Sequence, residues 1–284
     1  WIDVISEVAF LTMDLEDHGR GDLAARFLDG YLQATGDYAG VGLLRFYQCY
    51  RALVRAKVGA IRLSQAAEKP KEGQAVFEEV SAYVTLAARY TEPGLPALLI
   101  THGLSGSGKT TASQPLLEAI GAVRLRSDIE RKRLFGLNPE SRTASGVGGG
   151  IYTAEANDAT YARLAELSRG LLAAGLPVIV DATFLEAGRR QTFRALAKEL
   201  GVPFAILSFQ APEAALRDRV HQREQRGKDA SEAGLAVLEK QLADQEPLQA
   251  KEREETIVID TESTEGVAQA LARLQTILAT SKPR

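Results

Sequence analysis

Apolar residues recur at helical spacing throughout the first third of the chain. The stripes occupy residues 4–15, 43–61 and 76–87, where apolar side chains return every three or four positions. Side chains with this spacing share one face of an α-helix, which predicts helices that pack against each other. Residues 1–91 are therefore predicted to form an all-α segment of three or four helices.

A short breaker segment then changes the pattern. Residues 92–96 read Glu-Pro-Gly-Leu-Pro, and two prolines with one glycine predict a linker. Beyond it, short apolar runs alternate with longer helical patterns, which is typical of an α/β fold. For residues 97–284 we predict a five-stranded parallel sheet with flanking helices. The predicted strands are 97–101, 122–125, 178–180, 204–208 and 256–259.

Composition narrows the function classes. The chain has 284 residues, 45% of them hydrophobic, which is enough for a sizeable core. A net charge of -3 and a pI near 5.8 argue against a dedicated nucleic-acid binder, which usually carries a basic excess. The single cysteine, Cys49, cannot form an internal disulfide, and the sequence contains no run of about eighteen apolar residues. We expect a soluble, cytoplasmic protein without a membrane partner.

One loop carries the strongest chemical signal. Residues 102–111 read HGLSGSGKTT and fit the pattern G-x-x-x-x-G-K-T. Glycines let several backbone N–H groups point into one concavity, and the helix that follows adds the positive end of its dipole, so the loop favours the phosphates of ATP. Lys109 is predicted to reach the β and γ phosphates, and the Thr110 hydroxyl to coordinate Mg²⁺. The predicted ATP-binding residues are Gly103, Ser105, Gly106, Ser107, Gly108, Lys109, Thr110 and Thr111.

A carboxylate follows the predicted third strand. Asp181 ends the apolar run Val-Ile-Val, the usual place for a group that holds Mg²⁺ directly or through water. The alternative is a helix cap, because Thr183 and Glu186 have the spacing of a capping box. We favour the magnesium role, since this strand should lie near the glycine loop.

A second carboxylate follows the predicted second strand. Ser127 and Glu130 have the spacing of a capping box, which explains those two residues without any function. Asp128 remains free to act, because the carboxyl ends of parallel strands face the ligand crevice. There it could take the proton of an acceptor hydroxyl that attacks the γ-phosphorus.

Basic residues concentrate before Gly227. Most such residues form a solvated helix face, and nearby acids partly neutralise this group. The segment with Arg223 and Arg226 nevertheless resembles a lid over the site. An arginine that closes on a phosphoryl group during transfer stabilises its negative charge.

Four blocks together resemble the P-loop kinases of the polynucleotide-kinase, gluconate-kinase and zeta-toxin type, which are AAA-type ATP-binding proteins. The blocks are GLSGSGKTT, RSDIERKR, VIVDATFLEAGRR and RDRVHQREQRG, in this order within residues 97–250. The resemblance implies a P-loop NTPase fold of the nucleotide-kinase type. It also implies that Asp128 activates the acceptor, Arg131 orients it, Asp181 is associated with Mg²⁺, and Arg223 with Arg226 forms the lid.

The layout of the whole chain resembles the C-terminal portion of proteins that fuse an aminoglycoside-phosphotransferase-like domain to such a P-loop domain. Residues 1–91 would then be the last helices of that lobe, and its own nucleotide loop would lie upstream. A helical pattern is already under way at Trp1, so we expect the chain to be part of a longer protein.

Three functions remain open from the sequence. The preferred one is a Mg²⁺-dependent ATP kinase that phosphorylates a hydroxyl of a small acceptor. The second is an ATP-binding regulatory module that controls the attached helical segment. The third is a nucleic-acid end kinase, which the acidic pI and an aromatic content of 6% disfavour.

Overall fold

The computed structural model describes residues 2–65, 70–139, 141, 143, 149–226, 231 and 233–280, and the side chains of 70, 72, 226 and 280 lie outside this description. The chain forms two compact units, residues 1–94 and 95–284. Each unit is described by itself below.

The first unit is built from four long helices. They are α1 (Val4–Asp17), α2 (Gly21–Thr35), α3 (Leu44–Gln65) and α4 (Pro70–Thr91). Asp3 caps α1 by accepting a hydrogen bond from the Ile5 amide at 3.0 Å. Small residues let α3 and α4 approach closely, because a Cβ at Gly59 would lie 2.7 Å from Val80 Cγ2.

Helix α3 places its large apolar side chains outward. Phe46 is 63% exposed, and Tyr50 and Val58 are each 52% exposed, whereas Ala52 and Ala56 are buried. The stripe that marked this helix in the sequence is therefore largely solvent-facing in this unit. Exposed apolar side chains in one contiguous group usually mark a surface that another element covers.

The second unit contains the predicted α/β fold. Its strands are β1 (Leu98–His102), β2 (Val123–Arg126), β3 (Val178–Asp181), β4 (Phe204–Gln210) and β5 (Thr256–Asp260). They form one parallel sheet in the order β2-β3-β1-β4-β5. Its helices are α5 (Lys109–Ile120), α6 (Ser127–Leu134), α7 (Ala154–Ala173), α8 (Ala187–Leu200), α9 (Glu213–Arg226), α10 (Leu235–Asp244), α11 (Ala250–Glu254) and α12 (Gly266–Thr280). The predicted fold class is confirmed.

The central strand explains why the sheet could be predicted. Leu98, Leu99 and Ile100 of β1 are fully buried, as expected for a strand covered on both faces. Strand β3 lies between β1 and β2, and its register pairs Asp181 with Arg126. The carboxyl ends of β1, β2 and β3 therefore meet at one edge, where ligands bind in open α/β sheets.

A buried ion pair holds the segment after β3 against α11. The Arg190 guanidinium donates to both carboxylate oxygens of Glu252, at 2.7 and 3.1 Å, and to the carbonyls of Phe184 and Leu185 at 3.0 and 3.1 Å. Both charged residues are buried. Arg190 thus positions the loop after β3.

Replacing Arg190 with methionine is expected to lower the free energy of unfolding by about 3–5 kcal/mol, because the Glu252 carboxylate stays buried without its partner. Urea denaturation measures the change. The double variant R190M/E252L should recover most of the loss. The control is R194M, whose half-exposed pair with Glu255 is worth about 1 kcal/mol or less. Equal effects of R190M and R194M would contradict the structural role.

No helix in the described part of the chain has both the length and the apolar character needed to cross a membrane.

Candidate active site

One cavity of about 1170 Å³ opens at the carboxyl edge of the sheet. Its wall brings together residues from the glycine loop, from the segments after β2 and β3, and from α9 and α10. The predicted site residues in the wall are Ser105, Gly106, Gly108, Lys109, Thr110, Thr111, Asp128, Arg131, Asp181 and Arg223. Gly103 and Ser107, also predicted to bind ATP, are buried and do not line it.

The loop can only be made with glycine at its close contacts. Gly103 and Gly106 have φ angles of 141° and 84°, and a Cβ at either would lie 2.6 Å from a carbonyl oxygen, of Phe209 and Leu216 respectively. Gly108, at φ 80°, is the residue before α5. The first amides of α5 therefore open into the cavity with the positive end of the helix dipole.

Lys109 interacts with both the backbone of the loop and the charged side chains of the site. Its Nζ donates to the carbonyls of Gly103 and Leu104 at 2.9 and 2.8 Å. Burial lowers its pKa to about 8, while the charges of Asp181 and Asp128 act to raise it and that of Arg223 to lower it. The side chains of Asp181, Asp128 and Arg223 are thus close enough to Lys109 for their charges to act on it.

Asp181 is joined to the start of α5. The Thr110 hydroxyl donates to Asp181 Oδ2 at 2.7 Å, and the Arg126 guanidinium lies 4.0 Å from the same oxygen. A hydroxyl that donates its proton to a carboxylate keeps its lone pairs free for a cation. The capping-box alternative is wrong, because α8 begins at Ala187 and its N-cap, Glu186, makes no side-chain cap bond.

A backbone feature fixes the segment after Asp181. Phe184 has a φ of 47°, in the left-handed region, which costs a non-glycine residue about 1–2 kcal/mol. Its fully buried ring packs edge-to-face against Phe193 with centroids 5.0 Å apart, which offsets that cost. The preceding carbonyl, of Thr183, accepts from the Gly103 amide at 3.1 Å. This contact ties the end of β3 to the start of the glycine loop.

Asp128 lies in the first turn of α6 and faces the cavity. Within the part of the chain that the structure describes, its carboxylate makes no hydrogen bond and no ion pair. The expected capping box is absent, because α6 begins at Ser127 and its N-cap, Arg126, has no side-chain cap bond. The carboxylate is therefore available to a bound molecule.

Arg131 lies one turn further along the same helix. Its guanidinium stacks on the Tyr152 ring at 4.7 Å, and Nε donates to Thr160 Oγ1 at 3.4 Å. The residue is buried, and no carboxylate of the described residues lies within 4.0 Å of it. Arg131 lines the same cavity as Asp128.

Two arginines of α9, Arg223 and Arg219, contact protein groups. Arg223 donates to the Ala233 carbonyl, just before α10. Arg219, one turn earlier, donates to the Gly106 carbonyl at 3.3 Å and to Thr261 Oγ1 at 3.0 Å. The side chain of Arg226 lies outside the described residues.

Sequence reasoning missed several residues of the cavity wall. Arg219 precedes Arg223 by four positions on one helix, so helical spacing was a usable signal. Gln241, from α10, also lines the cavity and contacts the loop. No local motif marked Gln241, because it lies 136 positions along the chain from Ser105, whose amide it contacts.

The residues present fit a magnesium ion bound together with a nucleotide. Among the described residues no group of three or more His, Cys, Asp or Glu side chains could hold a metal alone. Mg²⁺ usually takes only one or two protein ligands and completes its shell with phosphates and water. Thr110 and Asp181 provide such a pair.

Comparison with known proteins identifies a family and several relatives. A family model described as "AAA domain" matches residues 98–248. An uncharacterized protein of Mycobacterium tuberculosis is 31% identical over 244 residues, which are 86% of this chain and 48% of the relative. An adenylyl-sulfate kinase of Myxococcus xanthus is 33% identical over 115 residues, 40% of this chain and 58% of that protein.

A solved structure of Chaetomium thermophilum Kti12 in complex with ADP-AlF3 shares the fold with a TM-score of 0.50 and 17% identity. The match covers 64% of this chain and 98% of the Kti12 chain. The chain spans about half the length of the mycobacterial relative. The matched residues contain the glycine loop, both carboxylates and the arginines of α9, and the chain belongs to the AAA domain family.

Proposed function

We propose that residues 95–284 bind Mg²⁺·ATP and transfer its γ-phosphoryl group to a hydroxyl of a small acceptor. The observation that carries this proposal is the convergence of Lys109, Asp128, Asp181 and Arg223 on one cavity. A phosphate loop alone would serve any nucleotide-binding protein. The Asp128 carboxylate beside it, which makes no hydrogen bond among the described residues, would provide what a kinase additionally needs, a base for the acceptor.

The nucleotide half of the site is the loop with the start of α5. The amides of the first turn of α5 would hold the inner phosphates. When ATP binds, the Lys109 ammonium would leave the carbonyls of Gly103 and Leu104 and bind the β and γ phosphates. Thr110 and Asp181 would hold Mg²⁺, which neutralises charge on the phosphates. Asp181 orients the Thr110 hydroxyl through the bond seen at 2.7 Å.

The acceptor half is the start of α6. Asp128 would accept the hydroxyl proton as the oxygen attacks the γ-phosphorus, and Arg131 would hold the acceptor in line. Arg223 and Arg226 would close from α9 on the transferred group. The name of one relative, adenylyl-sulfate kinase, supports phosphoryl transfer as the reaction class.

The test incubates the protein with Mg²⁺ and γ-labelled ATP against sugars, nucleosides, aminoglycosides and oligonucleotide ends. The proposal expects acceptor-dependent labelling of one class of small hydroxyl compounds, lost on chelation of Mg²⁺. Slow hydrolysis that no acceptor accelerates would favour the regulatory module instead. Labelling of oligonucleotide ends alone would favour the nucleic-acid end kinase.

Nucleotide affinity is expected to fall as pH rises through 8. The pKa of Lys109 is about 8 in the free protein because of burial, and bound phosphates raise it, so binding favours the protonated form. The ammonium form predominates below pH 8. Above it, affinity should decline by up to roughly tenfold per pH unit until the pKa of the complex is reached.

Calorimetric titration with Mg²⁺·ATP on both sides of pH 8 measures this effect. The control is K109M, which keeps a long side chain without the charge and should bind weakly with little pH dependence. An affinity of the wild-type protein that stays constant or rises above pH 8 would contradict the role of Lys109.

We also propose that residues 1–91 are the last helices of an aminoglycoside-phosphotransferase-like lobe. The outward apolar side chains of α3 support it, since a neighbouring part of such a lobe would cover them. The mycobacterial relative has about twice the aligned length, which leaves room for the rest of the lobe. Hydrogen exchange on that whole relative should show the α3 counterpart protected, and an exchanging, uncovered helix would count against the proposal.

A further inference from the structure

Helix α10 makes a direct hydrogen bond to the glycine loop. The side-chain oxygen Oε1 of Gln241 accepts from the Ser105 backbone amide at 2.8 Å. Ser105 is buried and belongs to the segment predicted to hold phosphate, and both residues line the cavity. A side-chain amide oxygen therefore occupies one of the loop's N–H donors.

The contact rests on a packed support. Leu238, one turn before Gln241, is fully buried against Leu216 and Val220 of α9. Leu104, the residue before Ser105, packs against the same cluster. Loop, α9 and α10 thus share one small apolar core, and residues 238 and 241 fall on the same face of α10. The position of the Gln241 side chain follows from this packing.

Protein side chains satisfy several of the loop's backbone polar groups. Gln241 takes the Ser105 amide, and Lys109 takes the carbonyls of Gly103 and Leu104. A buried N–H left without a partner is costly, so the amide needs an acceptor whether or not phosphate is bound. A phosphate oxygen and Gln241 Oε1 cannot both hold the single proton of this amide.

We infer that Gln241 is a specificity-determining residue whose Oε1 takes the place of an oxygen of the terminal phosphate in the nucleotide-free loop. Ser105 lies four residues before α5, whose first amides face the inner phosphates, so its N–H is assigned to the phosphate furthest from that helix. Binding of ATP displaces Gln241, and binding of ADP leaves it in place. Helix α10 thereby distinguishes triphosphate from diphosphate. This inference rests on the proposed nucleotide site.

The test compares the affinities of Mg²⁺·ADP and a non-hydrolysable Mg²⁺·ATP analogue by calorimetry in two variants. Q241L removes the competing oxygen and is expected to tighten analogue binding roughly two- to tenfold, with ADP binding unchanged. Q241E keeps the shape but places a negative charge at the amide, and is expected to weaken analogue binding by about tenfold or more and ADP binding less.

The matched control is Q245L, at an exposed glutamine one turn further on, which should leave both affinities unchanged. Thermal unfolding monitors the fold, and Q241E, close in shape to the native residue, serves if Q241L is destabilised. Equal changes of affinity for both nucleotides, or weaker analogue binding in Q241L, would overturn this inference and leave the proposed function standing. If the wild-type protein binds neither nucleotide, the proposed function fails and the inference with it.

Discussion

Replacing Asp128 with asparagine (D128N) is expected to slow phosphoryl transfer to the acceptor by roughly 10²–10⁴-fold, the usual contribution of a general base. Asparagine has the same shape but cannot take the hydroxyl proton. Affinity for Mg²⁺·ATP should persist, because Asp128 makes no bond to the glycine loop among the described residues. The measurement is acceptor-dependent transfer from labelled ATP, with ATP affinity determined in parallel.

A second result separates the catalytic role from a structural one. The Asp128 charge acts to raise the pKa of Lys109, so in D128N the fall of nucleotide affinity with pH should begin at a lower pH. The control is D22N, the same change at an exposed residue of the other unit, which should alter neither quantity. Transfer by D128N within about threefold of wild type would remove Asp128 as the base.

Replacing Arg223 with alanine is expected to lower the rate constant of transfer by roughly 10³–10⁵-fold, the range found for arginines that stabilise the phosphoryl group in transfer. Its charge already acts on Lys109, and α9 holds it at the cavity wall. Because the effect belongs to the transition state, kcat should fall far more than ATP affinity.

Two further variants test this interpretation of Arg223. R223K keeps the charge without the planar fork and should retain only part of the activity. R217A, on the same helix but paired with Glu213 and Glu239 at the surface, should behave as wild type. If R223A changes stability but not kcat, its bond to the Ala233 carbonyl is its main role and the lid proposal for Arg223 is wrong.

The sheet was predictable because local pattern and global fold agree. Four of its five strands contain a run of at least three apolar residues, whereas β2 carries two arginines. The observed bounds differ from the predicted ones by at most two residues. The approach of Asp128 and Asp181 to the glycine loop was predictable too, since parallel strands bring their carboxyl ends to one edge. Both capping-box interpretations were wrong, because spacing alone does not fix where a helix begins.

Long-range packing was not predictable from pattern. The apolar stripe of α3 suggested a buried face, yet the small residues Ala52 and Gly59 are buried in its place, and Gly59 lies against Val80 of α4. The short helix α11 has no apolar stripe and owes its place to the Arg190–Glu252 pair. Gln241 reaches Ser105 only through the packing of α10 on α9, which no motif in the sequence records.

A crystal structure of the protein with Mg²⁺ and a non-hydrolysable ATP analogue would test the proposed kinase site directly. We predict phosphate oxygens within hydrogen-bond distance of the first amides of α5 and Lys109 Nζ. We also predict Mg²⁺ beside Thr110 and Asp181, with the Asp128 carboxylate facing the γ-phosphate. A nucleotide bound elsewhere, or a γ-phosphate turned away from Asp128, would contradict the proposed site.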